Sequence, residues 1–147
     1  MQTSYSVNME KGREGYIQDG HHVDGDSVII EDNTDLRCGI AVAFGAEDNC
    51  VLKIASAADR LSGILIHSQK EQSRCPNEPA IKNGESYTSV TQGRVWVKPT
   101  VAVLQGEKAY ADEATGELTN VATAFPVGSF KSAAQAGEVA ILDVEIV

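Results

Sequence analysis

The chain has 147 residues, 42% of them hydrophobic and 22% charged, and 21 acidic against 12 basic side chains give it a net charge of -9. This length and composition fit one folded domain, or one domain with an arm, and exclude a disordered chain. The acidic balance argues against a protein that works by neutralising phosphates, so nucleic acid is set aside as a partner.

Residues 1 to 27 are polar and punctuated by glycine, with isolated apolar side chains at Tyr5, Val7, Met9, Tyr16 and Ile17. Too little apolar surface is present to offset the ordering entropy of the segment alone. It reads either as an edge strand or as an arm that orders on a neighbour. The opening MQTSYSVNMEKGREG lacks the apolar centre of a signal peptide, and the longest uncharged apolar run, Cys38 to Ala46, is too short to span a membrane. Synthesis and folding in a reducing cytoplasm are expected. The three cysteines, Cys38, Cys50 and Cys75, have no metal-type spacing, and Cys38 reads as a small buried hydrophobe.

From Val28 onward, the main domain of residues 28–147, the pattern takes a period of two. In Leu36 to Phe44 the even positions are bulky and apolar, while Gly39, Ala41 and Ala43 are small, as expected of a strand covered closely on one face. Val51 to Ala55 and Arg60 to His67 read as the next strands. His67 is expected to be a partly buried strand-end residue. Ser68 to Ser86 contains Pro76, Pro79 and Gly84, with a short helical turn over Gln69 to Arg74 as one reading. Tyr87 to Thr91 and Arg94 to Leu104 resume the strands, with a bend, bulge or edge at Pro99. Lys108 to Ala111 and Leu118 to Val121 form a hairpin, as do Val127 to Ala133 and Val139 to Val147. Many short strands predict an all-β antiparallel sandwich or barrel.

Charge is uneven along this pattern. Residues 51–100 hold seven basic and four acidic side chains, whereas both flanking thirds are acidic. Lys70, Arg74 and Lys82 carry much of that positive charge, and they read either as a solvated loop or as a contact surface for an acidic partner.

No phosphate-cradling loop, zinc helix, nucleophile elbow or CxxC is present. Asp19 to Asp26, with His21 and His22, is the one dense polar cluster, and its spacing is that of an exposed loop more than of a metal site. Trp96, between Arg94 and Lys98, is either a recognition aromatic or a cap on the core.

The ordered set TSYSVNM, GREGYIQDG, LRCGIAVAF, GILIHS, VTQGRVWVKP, EKAYADEATGELTN and FPVGSFKSAAQAGEVAILDVEIV resembles the structural cement, or head decoration, proteins of tailed bacteriophages over nearly the whole chain. The resemblance implies a β-sandwich of jelly-roll type with an extended N-terminal arm. It implies a place on the outer surface of an icosahedral capsid in the virion, where the protein clamps neighbouring copies of the major capsid protein. No catalytic residue, cofactor or metal is carried over from it. Under this reading Tyr5, Val7, Met9, Tyr16 and Ile17 are apolar anchors to a neighbouring subunit. Lys70, Arg74 and Lys82 meet acidic capsid surface, Trp96 is a further interface candidate, and a homo-oligomer, dimer or trimer, sits on the capsid. Two other classes compete: a glycan-binding or host-adhesion β-domain, against which the 5% aromatic content counts, and a small β-barrel enzyme, which lacks a recognisable nucleophile, base or metal set.

Overall fold

The computed structural model describes residues 12–18, 22–32, 36–67 and 81–146. Nine strands are present among them, and no helix: β1 (Asp24–Ile30), β2 (Ala41–Phe44), β3 (Cys50–Lys53), β4 (Leu61–Leu65), β5 (Ser86–Val97), β6 (Lys108–Ala111), β7 (Leu118–Thr119), β8 (Phe125–Phe130) and β9 (Ala140–Glu145). They form one hydrogen-bonded sheet in the order β1-β3-β2-β4-β5-β9-β8-β6-β7. A further pairing of β1 with β5 closes the first five strands on themselves, giving a small barrel from which the other four extend. All pairings are antiparallel except β1 with β3.

β5 belongs to both parts. Its first half pairs with β1 and β4, and from Gln92 to Val97 it pairs with β9. Gly93, at φ 140°, stands between the two halves in a backbone region that a side chain would strain. Two strands were expected here, Tyr87 to Thr91 and Arg94 to Leu104. Glycine lets one 12-residue strand run through the interval instead. The ladder then stops at Val97 because Pro99 has no donor, and Val103 keeps only an isolated bridge to Ala134.

Two apolar clusters follow from this arrangement. One gathers Val28, Ile30, Leu36, Cys38, Ile40, Val42, Val51, Leu65, Ile81 and Tyr87. Register places Val28 opposite Tyr87 and Ile30 opposite Val51, so these side chains share one face of the closed strands. The larger cluster lies between the opposite face, with Ala41, Ala43 and Ile64, and the extension, with Val97, Leu118, Phe130, Leu142 and Val144.

β2 is buried on both faces over Ala41, Val42 and Ala43, which have no solvent exposure, as its bulky-small alternation predicts; Phe44, the last bulky position of that alternation, is instead 53% exposed at the strand end. The backbone of Ala41 has a close neighbour. Its N–H donates to the Gly116 carbonyl at 2.9 Å, and a methyl group at Gly116 would collide with the Ala41 carbonyl, so position 116 needs glycine. The ladder is shorter than the Leu36 to Phe44 strand expected, because Gly39, at φ 92°, turns the chain before β2 begins. β1 begins at Asp24, upstream of the change of period at Val28, since its first residues are exposed and leave no apolar signal. The helical turn read over Gln69 to Arg74 lies outside the described residues.

Candidate interaction surface

The N-terminal segment is sewn onto the sheet. The Gly15 N–H donates to the Trp96 carbonyl (2.8 Å), the Trp96 N–H to the Tyr16 carbonyl (2.9 Å), and the Gln18 N–H to the Arg94 carbonyl (2.9 Å). Ile17 and Val95 form the corresponding bridge. On its other side the Gly15 carbonyl accepts the His67 N–H at 2.7 Å. The Tyr16 ring stacks on the His67 imidazole, with centroids 4.4 Å apart. Gly15 takes φ 85° and packs against Cys38, so glycine is required there for both conformation and space.

Arg37 closes this corner. Its Nε donates to Glu14 Oε1 at 2.9 Å and its Nη1 to Glu117 Oε1 at 2.8 Å, joining the N-terminal segment to the turn before β7. Partial burial works against the cation, yet the hydrogen bonds and charges of Glu117 and Glu14 outweigh it and raise the guanidinium pKa above its ordinary value.

Tyr16, Ile17 and Trp96, three of the residues singled out from the sequence, therefore meet in one place. With Gly12 and Arg13 they line a shallow open cleft. Trp96 is only 9% exposed because Gly12 lies across its indole, where a methyl group would overlap the ring. Ile17 is 41% exposed. Tyr5, Val7, Met9, Lys70 and Arg74 lie outside the described residues. Lys82 is half-buried, directly after Ile81 of the barrel cluster. Residue 12 leads back to residues 1–11, and His67 leads on to residues 68–80. Residues 12 and 67, which border those stretches, thus both lie at this corner.

Sequence reasoning missed Arg37, Glu14 and Glu117, because separations of 23 and 80 residues leave no local pattern. In the polar run around Asp19 to Asp26, His22 pairs with Asp24 at 3.0 Å, both exposed. No group of three or more potential metal ligands gathers among the described residues. Among the described residues, Cys38 and Cys50 are not joined by a disulfide. Burial, then the charges of Glu31, Glu47 and Asp48, push the Cys50 thiol up, which keeps it protonated and a poor nucleophile near neutrality.

A partly closed β-sheet with its N-terminal segment hydrogen-bonded into a stapled corner defines an all-β domain. The match that identifies it covers residues 1–145: it is to the family "Structural cement protein (E217 gp24/Pam3 gp6)", and the chain belongs to that family. It is a bacteriophage structural protein of the virion, associated with the capsid. The fold is similar to a chain in the structure titled "The capsid of Myoviridae Phage XM1", with TM-score 0.70 and 14% identity over 99% of this chain and 97% of that one. A weaker likeness, TM-score 0.48 and 12% identity over 84% of this chain and 95% of the other, is to the head fiber gp8.5 N base of bacteriophage phi29. No curated protein sequence matches the chain.

Proposed function

We propose that the protein binds the outer surface of an icosahedral bacteriophage head and clamps neighbouring copies of the major capsid protein. Besides family membership, one observation carries this reading. Gly15 and Tyr16 tie the root of residues 1–11 and the root of residues 68–80 into one corner. A rigid corner that issues two chain segments suits a clamp, since each segment can cover surface on a different neighbour.

In this reading Tyr5, Val7 and Met9 are the apolar anchors of an extended N-terminal arm within residues 1–27, and residues 28–147 are the domain that carries it. Lys70, Arg74 and Lys82 face acidic capsid surface. Tyr16, Ile17 and Trp96 form the fixed base rather than the reaching part, which their hydrogen bonds to β5 and their packing favour. The fold reading that accompanies it is a sandwich of jelly-roll type, supported by the two apolar layers on opposite faces of β2. A closed homo-oligomer, dimer or trimer, fits a shell built on symmetry axes. The protein is made in the host bacterial cytoplasm and joins the shell there.

Stabilisation follows from mass action. A ligand that binds only the assembled lattice shifts that state by its binding free energy, about 2.7 kcal/mol per site at a hundredfold excess over Kd. Many sites on one shell multiply a modest contact.

Deleting residues 1–11, which leaves Gly15 and its hydrogen bonds in place, tests the arm. The truncated protein is expected to fold with an unchanged melting temperature and to occupy purified heads at least tenfold more weakly. Undiminished occupancy would sink the arm as the binding element.

A further inference from the structure

The two most exposed large apolar side chains among the described residues lie far from the N-terminal corner in sequence, on two segments of the extension that the Asn120 side chain links. Leu104 is 65% exposed and Val121 61%. Asn120, next to Val121, donates its side-chain amide to the Ala102 carbonyl (3.4 Å) and to Glu107 Oε2 (2.7 Å). That brings both apolar side chains to one edge of the extension.

Beside Leu104 runs a cleft of 430 Å³ between the 102–107 and 133–138 turns. Its floor is fixed: Val103 and Ala134 exchange both backbone hydrogen bonds, at 2.9 and 3.1 Å, and are nearly buried. The turns are held as well, since the Gly106 N–H donates to Phe130 and the Gly137 N–H to Pro99. Ala102, Leu104 and Ala133 give the cleft apolar walls, and its only charged lining residues are Glu107 and Glu138. A preformed apolar floor under two carboxylates favours one chemistry, because an apolar segment bearing a cation satisfies both features and an acidic one is repelled.

We propose that this edge is a second docking surface, which takes an extended peptide segment of a protein partner that alternates apolar side chains with lysine or arginine. The apolar side chains cover Leu104 and the Val103–Ala134 floor, and the cations meet Glu107 and Glu138. Exposed Leu104 and Glu138 make this edge readable by substitution without disturbing the core.

Fluorescence anisotropy of the full-length protein with two labelled heptapeptides, one alternating valine with lysine and one valine with glutamate, tests the assignment. The lysine peptide should bind at least tenfold more tightly than the glutamate peptide. Leu104→Ser combined with Glu138→Lys should weaken it at least tenfold, whereas Phe44→Ser, at an exposed position outside this cleft, should leave it unchanged. Equal binding of the two peptides, no binding of either, or full binding to the double variant would overturn the proposal. No capsid enters the experiment, so its failure is separate from failure of the capsid reading.

Discussion

The ring of Tyr16 lies on the imidazole of His67, with centroids 4.4 Å apart and planes inclined by 20°. This contact joins an N-terminal residue to the chain just beyond β4. The His67 N–H also donates to the Gly15 carbonyl, so side chains and backbone fasten the same two segments.

Replacing either ring should therefore loosen the corner. Tyr16→Ala and His67→Ala are each expected to cost roughly 1–2 kcal/mol in urea unfolding, with a coupling of about 0.5–1.5 kcal/mol in the double-mutant cycle. Strict additivity would show that the stack contributes nothing beyond separate burial.

Arg37 fastens the corner from a third direction. Its guanidinium is still partly exposed, so water and salt weaken the pairs with Glu14 and Glu117. Arg37→Ala should destabilise by roughly 1–2 kcal/mol at low salt, and the difference from the parent should shrink at 1 M salt, where the Debye length falls to about 3 Å. A salt-independent difference would point to lost packing alone.

Glycine positions with like backbone angles should respond unequally. Gly116 (φ 77°) and Gly137 (φ 80°) both sit in the left-handed region, but only at Gly116 would a methyl group strike another backbone, the Ala41 carbonyl. Gly137→Ala should cost about 1 kcal/mol of strain, and Gly116→Ala about 3 kcal/mol or more, by the denaturation midpoint at constant slope. Equal costs would mean that the turn relaxes away from β2.

The raised pKa of Cys50 has a kinetic consequence. Burial and the carboxylates of Glu31, Glu47 and Asp48 disfavour the thiolate, so at any given pH less of the reactive form is present than in an unperturbed thiol. Iodoacetamide labelling of Cys50, followed by peptide mass spectrometry, should lag behind that of a free cysteine and rise only above the ordinary thiol range. Replacing Glu31, Glu47 and Asp48 by their amides should move the profile toward lower pH; an unmoved profile would leave burial as the sole cause.

Some of this architecture is written locally. The alternation of Leu36, Cys38, Ile40, Val42 and Phe44 with Gly39, Ala41 and Ala43 announces a segment covered on both faces; the first four bulky residues share one cluster, while Phe44 at the strand end is exposed. The alternation of Ala140, Leu142 and Val144 with Asp143 and Glu145 likewise sorts β9 into buried and outward positions. Period-two patterns report which side chains meet the core, because neighbouring side chains of a strand point to opposite faces.

Partner choice between strands leaves no such trace. The closure of β1 onto β5 and the continuation of one long strand through Gly93 depend on which distant segments supply the backbone partners on either side. The same holds for the corner at Tyr16. Its apolar character is legible in the sequence, but whether Tyr16 and Ile17 reach outward or lie along β5 turns on hydrogen bonds to Arg94, Trp96 and His67. The sequence by itself thus determined an all-β domain, its buried faces and its family. Only the tertiary structure decided which edges pair and that Gly15 and Tyr16 meet His67, because those outcomes rest on contacts between residues dozens of positions apart.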